Sequence, residues 1–411
     1  MPRFGGIDLT QTQWRITEFP LEVPDVRSHA AQTPPGAAAG GSRSCKFNKT
    51  RTFARIKQTY YHPSRHHAED NALTPWLLPS SGAIKRAMRS WKIAGLTHPY
   101  HAVPAVRRAL KRLVETTFGA MIDAPLASCL GLLADGQLTA PANVLILTGS
   151  PQDPELTAVG LTLADSDLEM RVCASVQLPV QAESAAFTAR GSTFEAQLSR
   201  YPLTSWELRV CGQELTEIGS RVASQLGVPP TADGADATAA ARGAAGFAYY
   251  QHQIFEARRN NRMPATTFPG TDITSIRVHH IFPRSVGIIG AGSRPGEAFW
   301  RRLFEAGQSL ETRPDLVLPA GHGVPEVVML AEWDDDGKDD LLWASDPSDA
   351  NDFRSLYLYS SYKTPPELND KLTAVVREGD ESGDEREVPL IFTVENPSGM
   401  ERWSEQLLHV H

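Results

Sequence analysis

The sequence is poor in cysteine, with only four among its 411 residues. Cys45, Cys129, Cys173 and Cys211 are widely separated and show no CxxC spacing. This pattern argues against both a disulfide framework and a structural zinc site. We therefore expect free, buried thiols in a reducing compartment.

Long apolar runs are also missing. The longest, such as residues 142–147, are far shorter than the roughly 20 residues that a membrane-spanning helix needs. The first residues, MPRFGGID, lack the continuous apolar core of a signal peptide. We predict no signal peptide, no membrane partner and a cytoplasmic location, or a location in the virion if the chain is viral.

No complete catalytic motif occurs in the chain. The sequence has no nucleophile motif and no phosphate-binding glycine loop, and Gly290-Ala291-Gly292 lacks the later glycine of a dinucleotide fingerprint. This favours a protein that is not an enzyme and that needs neither a metal nor a cofactor.

Charge is distributed unevenly along the chain. Residues 43–112 contain fifteen lysines and arginines and two acids, a local balance of +13, whereas residues 331–411 contain twenty acids and seven bases, a balance of −13. The net charge of −8 therefore conceals a polarised molecule. Such asymmetry indicates a surface that faces nucleic acid, or basic and acidic surfaces of the same protein that are complementary to each other.

The basic segment has the composition of a nucleic-acid-binding surface. Its cations alternate with Phe47, Phe53, Tyr60 and Tyr61, and such residues neutralise phosphates and stack on bases. A solvated face that pairs with the acidic region is the alternative. The predicted RNA-binding residues are Arg43, Lys46, Lys49, Arg51, Arg55, Lys57, Arg107, Arg108, Lys111 and Arg112.

Composition and periodicity predict an α+β fold, with helices in the basic N-terminal region and mostly antiparallel strands elsewhere. The expected helices cover residues 83–91, 104–118, 213–226 and 247–259. The expected strands cover residues 143–148, 158–164, 168–178 and 206–211, and Asp165-Ser166-Asp167 is an expected turn between two of them. We divide the chain into an extended N-terminal arm (1–42), a basic helical segment followed by a β-rich region (43–227), an Ala/Gly/Pro-rich linker (228–246) and an α+β region with an acidic C-terminal part (247–411).

A histidine-containing segment near residue 280 has the strongest chemical character. Residues 277–283 are expected to form a strand that ends at a proline, with His279 and His280 on opposite faces. Residues 295–307 are expected to form a helix, because Phe299, Trp300, Leu303 and Phe304 follow helical spacing. A loop with His322 comes next.

This order of elements resembles the HNH or His-Me finger nucleases, over roughly a tenth of the chain. The resemblance implies a metal-dependent nuclease in which His280 is the general base, His279 helps to hold the metal and His322 is a further ligand. A chance pair of histidines is the alternative, because the chain has twelve histidines and a second pair at His66-His67.

The leading hypothesis is a self-assembling shell or coat protein, possibly viral. It depends on an arm that could reach a neighbouring subunit, on the opposed basic and acidic segments, and on a composition rich in Ala, Gly, Pro and Thr. The expected partners are further copies of the chain and RNA. Because the chain lacks a strongly basic tail, double-stranded RNA is the better cargo. The nuclease is the alternative hypothesis.

Overall fold

The computed structural model of the protein separates into two compact units, Met1–Asn48 with Leu73–His279, and Lys49–Ala72 with His280–His411. The structure describes residues 3–11, 15–20, 88, 91–102, 110, 118–151, 153–178, 191, 193–201, 206–229, 235–261, 267–291, 298–310, 316–317, 327–333, 353–361, 371–376, 387–395, 398 and 401–410.

The described part of the first unit forms two sheets and the helices that pack on them. The strands are β1 (Arg3–Asp8), β2 (Arg15–Pro20), β3 (Trp91–His98), β4 (Phe118–Asp123), β5 (Ala142–Ser150), β6 (Asp153–Ala164), β7 (Asp167–Gln177), β8 (Trp206–Val210) and β9 (Ser275–His279). The helices that position the site are α1 (Ala124–Ala134), α2 (Thr216–Leu226) and α3 (Ala239–Arg259).

The first sheet has the order β2-β1-β3-β4. β1 pairs antiparallel with β2 and parallel with β3, and β3 pairs parallel with β4. Phe4, Ile7, Ile93 and Leu96 are completely buried. Burial of these apolar side chains makes the sheet part of the core of the unit.

The second sheet has the order β8-β5-β6-β7-β9. β5, β6 and β7 form an antiparallel meander, while β8 and β9 add parallel strands at its two edges. Asp165 and Ser166 both have positive φ, 49° and 72°, between β6 and β7. Two such residues in sequence give the primed turn that matches the twist of a two-residue hairpin.

The two sheets share one arrangement. Each contains an antiparallel hairpin, β1–β2 or β5–β6, whose first strand also pairs in parallel with a strand from later in the chain, β3 or β8. The first unit therefore contains the same local topology twice.

Small residues bring the helices unusually close to their neighbours. A Cβ built on Gly243 of α3 would collide with the carbonyl oxygen of Ala127 in α1, and one built on Gly6 of β1 would collide with the carbonyl oxygen of Ala241. Because Ala and Gly carry little side chain, backbones can approach within contact distance at these points. The helix α3 thereby packs on both α1 and the first sheet.

The described strands of the second unit form two antiparallel sheets. One has the order β11-β10-β13-β14 and the other β12-β15-β16-β17. Their strands are β10 (Ser285–Ala291), β11 (Ala298–Phe304), β12 (Leu316–Val317), β13 (Val327–Trp333), β14 (Phe353–Ser361), β15 (Lys371–Val376), β16 (Glu387–Glu395) and β17 (Glu401–Val410).

Three expectations from the sequence were wrong. The predicted arm contains β1, an interior strand of the first sheet, because Phe4 and Ile7 pack in the core. The predicted linker contains the start of α3, whose alanines are buried against neighbouring backbone. The predicted helix at 295–307 is strand β11 instead, which pairs with β10 along its length.

The structure confirms the α+β class and the strands expected between residues 143 and 211. It also shows that parallel pairs join the antiparallel ones in the first unit. The helices predicted at 83–91 and 104–118 lie mostly outside the described residues, and their last residues, Trp91 and Phe118, begin strands. No helix within the described residues is long and apolar enough to span a membrane.

Candidate ligand-binding site between the two sheets

The predicted functional residues are only partly visible in the structure. All ten predicted RNA-binding residues, Arg43, Lys46, Lys49, Arg51, Arg55, Lys57, Arg107, Arg108, Lys111 and Arg112, lie outside the described residues, as does His322. Their binding role stays a prediction.

His279 and His280 are described, and their environments differ. His279 ends β9, and its Nε2 lies 3.1 Å from Oε1 of Glu169. His280 follows the strand and is buried, and its backbone oxygen accepts a hydrogen bond from Leu310. Among the described residues, no group of three or more His, Cys, Asp or Glu side chains could hold a metal ion. The nuclease mechanism stays a prediction.

A different set of polar residues gathers where the two sheets of the first unit meet. We call it the inter-sheet polar edge. It consists of Asp8, Thr10, Gln11, Thr97, His98, Tyr100, His101, Asp123, Asp135, Glu155, Thr157, Ser175, Asp236, Thr238 and Arg242. Several of these residues are the last ones of parallel strands in the first sheet or follow them directly. In open α/β sheets, that end of the strands is where ligands bind.

The turn after β1 is organised by one buried carboxylate. Oδ1 of Asp8 accepts hydrogen bonds from the backbone N–H and the hydroxyl of Thr10, at 3.0 and 2.7 Å, and from the hydroxyl of Thr97 on β3, at 2.7 Å. Oδ2 accepts one from Nε2 of Gln11 at 2.7 Å. Four donors compensate the burial of this charge, so Asp8 fixes the conformation of residues 8–11 at the start of the turn.

Gln11 connects this turn to the segment that precedes α3. Its Nε2 also donates to the backbone oxygen of Ala237 at 2.7 Å. The neighbouring Asp236 donates its backbone N–H to the carbonyl of Val210, at the end of β8 in the second sheet. Short backbone and side-chain contacts therefore tie the first hairpin turn to the second sheet.

Arg242 on the first turns of α3 is buried and neutralised by two carboxylates. Its Nη2 lies 2.6 Å from Oδ2 of Asp236 and 3.2 Å from Oδ2 of Asp135, the residue that follows α1. Thr238 contributes a further contact to Nη1. The guanidinium thus links the C-terminal end of α1 to the N-terminal end of α3.

The pKa of Asp236 reflects opposing influences. Burial opposes the charged form, but the hydrogen bonds and the charge of Arg242, together with the N–H and hydroxyl of Thr238, outweigh burial and lower the pKa below its ordinary value of 3.8. A carboxylate with a lowered pKa stabilises the folded state above its unfolded pKa. That contribution is lost as the pH falls through the folded-state pKa.

The lowered pKa of Asp236 predicts a pH dependence of stability that can be tested. We expect Asp236→Asn to be less stable than the wild type at neutral pH, and the difference to shrink as the pH falls below 3.8. Denaturant unfolding of both proteins at several values between about pH 7 and about pH 2.5 measures the difference. A difference that stays constant over this range contradicts the assignment.

The third part of the edge surrounds Glu155 on β6. Its two carboxylate oxygens accept the backbone N–H groups of Tyr100 and His101, at 2.8 and 3.1 Å, in the loop that follows β3. Nε2 of His101 lies 3.1 Å from the hydroxyl of Ser175, which lies 2.9 Å from the hydroxyl of Thr157. The pair His101–Ser175 has the composition of a nucleophile and its base, but both side chains are buried.

The described cysteines show no sign of activation as nucleophiles. Cys129, Cys173 and Cys211 are free and buried. Burial raises the pKa of the Cys173 thiol to about 11 and that of Cys211 to about 12. Burial also raises the pKa of the Cys129 thiol, so all three thiols remain protonated at neutral pH and none has the thiolate character of a nucleophile.

Comparison with known proteins does not assign a family to the chain. No protein-family model matches the chain, and no curated protein matches it. Among solved structures, the chain is similar to the ethanolamine utilization protein EutJ from Carboxydothermus hydrogenoformans, with 12% identity over 60% of this chain and 89% of that one and a TM-score of 0.30. A likeness this distant carries no argument about function.

Proposed function

We propose that the first unit is a ligand-binding module that takes a small polar molecule at the inter-sheet polar edge. One observation supports this most directly. Two sheets of like topology meet along their polar ends, and charged side chains there are buried, among them Asp8, Asp123, Glu155 and Arg242. Interfaces between two substructures and the ends of parallel strands are the common places for ligand sites.

Energetic cost supports the same proposal. Burial of a charged group costs roughly several kcal/mol before the group is paired. Well-packed apolar residues would stabilise an interface equally well. Buried charged side chains are therefore not required merely to hold two sheets together. The concentration of carboxylates and hydroxyls therefore favours a binding role over a purely structural one.

The composition of the edge indicates the class of ligand. Its described residues include the carboxylates Asp8, Asp123, Asp135, Glu155 and Asp236, and several threonine and serine hydroxyls. Carboxylates at the ends of strands accept hydrogen bonds from ligand hydroxyls, as in the recognition of ribose. We propose a hydroxyl-bearing ligand such as a nucleoside or a sugar. These groups are largely buried, so the sheets must part for it to enter.

Binding can be tested without knowledge of the natural ligand. A panel of nucleosides, nucleotides and monosaccharides is added to the full-length protein, and thermal unfolding and calorimetric titration are recorded. We expect at least one compound to raise the unfolding midpoint with saturable heat, because a ligand that binds only the folded state stabilises it.

A pair of glutamine variants provides the matched control. Gln11→Ala removes the amide that donates to Asp8 and to Ala237, so the Asp8 carboxylate loses a donor that orients it and binding should weaken by about tenfold. Gln253→Ala changes a half-buried glutamine further along α3, outside the edge, and should bind as the wild type does. If no compound in the panel binds, the proposal is wrong.

We also propose self-assembly as a shell or coat protein as a second function, supported by a feature of the second unit. The ten-residue strand β17 stands last in the order of its sheet. The outer edge of such a strand is a template for pairing with another chain. The polarised charge of the sequence supports RNA as the cargo, although β1 and β2 belong to the first sheet and do not provide an arm.

The solution mass tests this second proposal. Light scattering coupled to size exclusion, at physiological salt, should give particles in the megadalton range if many 44.9 kDa chains assemble. The variant Gln406→Lys places a charge on β17 and should reduce assembly, because lysine on an edge strand opposes pairing. A monomer or dimer for the wild type rejects the shell.

A further inference from the structure

Glu155 makes a contact that crosses from one sheet to the other. It lies on β6 of the second sheet, is 1% exposed, and faces the loop that follows β3 of the first sheet. Each carboxylate oxygen accepts one backbone N–H, Oε2 from Tyr100 at 2.8 Å and Oε1 from His101 at 3.1 Å. The carboxylate is thus held in a two-point clamp made of main-chain donors.

The loop that provides these donors has the geometry of an anion site. Residues 99–102 form a turn closed by a hydrogen bond of 3.0 Å from the N–H of Ala102 to the carbonyl of Pro99. Its two central N–H groups, those of Tyr100 and His101, point to the same acceptor. Successive N–H groups with a common direction form a concave site that binds carboxylates and phosphates. Such donors recognise the shape and charge of the anionic group, whichever molecule carries it.

The side chains around the clamp are polar and make hydrogen-bond contacts with one another. The His101 side chain contacts the hydroxyl of Ser175, and the backbone N–H of Ser175 donates to Oε1 of Gln197 at 3.1 Å. Thr157 lies beside them, 2.9 Å from the Ser175 hydroxyl. This arrangement pre-positions the loop, so an acceptor that replaces Glu155 would meet donors that are already oriented.

We infer that the paired amides of Tyr100 and His101 are an anion-binding site that Glu155 occupies as an internal ligand. The inference rests on the proposed binding function and adds to it that the ligand carries a carboxylate or a phosphate. That group takes the place of the Glu155 carboxylate when the sheets part. The exchange conserves both hydrogen bonds, and the released Glu155 regains its hydration in water, which compensates the ligand's loss of hydration.

Chemical rescue of Glu155→Ala tests the site directly. The variant removes the internal ligand and leaves two buried N–H groups without this acceptor, so its unfolding midpoint should fall below that of the wild type. Sodium acetate, formate or phosphate should then raise the midpoint of the variant by about 2 °C or more, with a logarithmic dependence on concentration. Sodium chloride at equal ionic strength and the surface variant Glu217→Ala provide the controls.

Glu155→Gln covers the case in which the alanine variant does not fold. Its amide keeps the shape of the side chain but has one acceptor oxygen in place of two. We expect acetate and phosphate to shift the backbone amide resonances of Tyr100 and His101 more strongly in this variant than in the wild type. If neither variant responds to these anions beyond the effect of chloride, the inference is wrong.

The outcomes separate this inference from the proposed function. If a nucleoside or sugar binds the wild type and anions fail to rescue the variants, the site takes neutral ligands and only the inference falls. If anions rescue the variants and no compound in the panel binds, the clamp exists as a site while the proposed function is wrong. Acetate and phosphate, compared side by side, show which anion the clamp prefers.

Discussion

Replacement of Arg242 by alanine should lower the free energy of unfolding by about 3–5 kcal/mol, the cost of removing one partner from a buried ion pair. The side chain is 5% exposed and lies between Asp236 and Asp135. Without it, both carboxylates lose the contact with this guanidinium, and Asp236 also loses the Arg242 interactions that help to lower its pKa. Denaturant unfolding at neutral pH measures the loss.

Arg221 provides the matched control for this prediction. Its guanidinium contacts Glu217 at 2.6 Å on α2, but both side chains are largely exposed. An exposed pair one helical turn apart contributes only about 0.3–0.5 kcal/mol, so Arg221→Ala should be nearly neutral. Equal effects of the two substitutions would show that burial does not set the strength of the Arg242 contacts.

Arg242→Lys separates charge from geometry. Lysine keeps the positive charge but has a single ammonium group, which cannot reproduce the planar fork that contacts both carboxylates. We expect this variant to be intermediate between the wild type and Arg242→Ala. A loss equal to that of alanine would show that the fork, and not the charge, holds the ends of α1 and α3 together.

The sequence contains enough information to predict the local elements of the second sheet. Alternating apolar residues and turn residues such as Asp165 and Ser166 indicated the strands between 143 and 178, and the structure confirms them. These elements follow from contacts between neighbouring segments, which a local pattern can reveal. Residues 247–259 were also correctly predicted to be helical, because they belong to α3.

The errors occurred where distant packing decides the structure. Residues 239–246 have the composition of a linker, but in the folded chain their small side chains allow α3 to pack against α1 and β1 at backbone contact distance. The stripe from Phe299 to Phe304 has helical spacing, yet pairing with β10 makes it a strand. Periodicity in a short segment cannot distinguish these cases, because the partner lies elsewhere in the sequence.

The candidate site was missed for a related reason. Asp8, Glu155 and Arg242 are far apart in the chain, and each is an unremarkable charge within its own segment. A useful sign was present nonetheless, since Asp8 and Glu155 occur at the ends of otherwise apolar strands. A charge in such a position must find a buried partner or a functional role. Which partner it finds depends on tertiary structure.

Close packing also leads to the second large prediction. Gly243→Ala should lower the free energy of unfolding by about 3 kcal/mol or more, at the upper end of the range for overpacked cores. A Cβ at this position would overlap the carbonyl oxygen of Ala127, lie 2.6 Å from its carbonyl carbon and 2.9 Å from the backbone nitrogen of Gly131. Backbone cannot move aside as a side chain can, so α1 and α3 would have to separate.

The sign of the Gly243 effect is informative because helix propensity acts in the opposite direction. In an exposed helix, replacement of glycine by alanine stabilises the protein by about 1 kcal/mol. Gly160→Ala on β6 is the control, since a Cβ there meets Asn143 at 3.5 Å and Cys173 at 3.8 Å, which are ordinary contacts. Urea unfolding of both variants compares them. If Gly243→Ala were as stable as the wild type, α1 and α3 would not be in backbone contact. The close packing of these two helices would then not be what positions Arg242 and Asp135 at the inter-sheet polar edge.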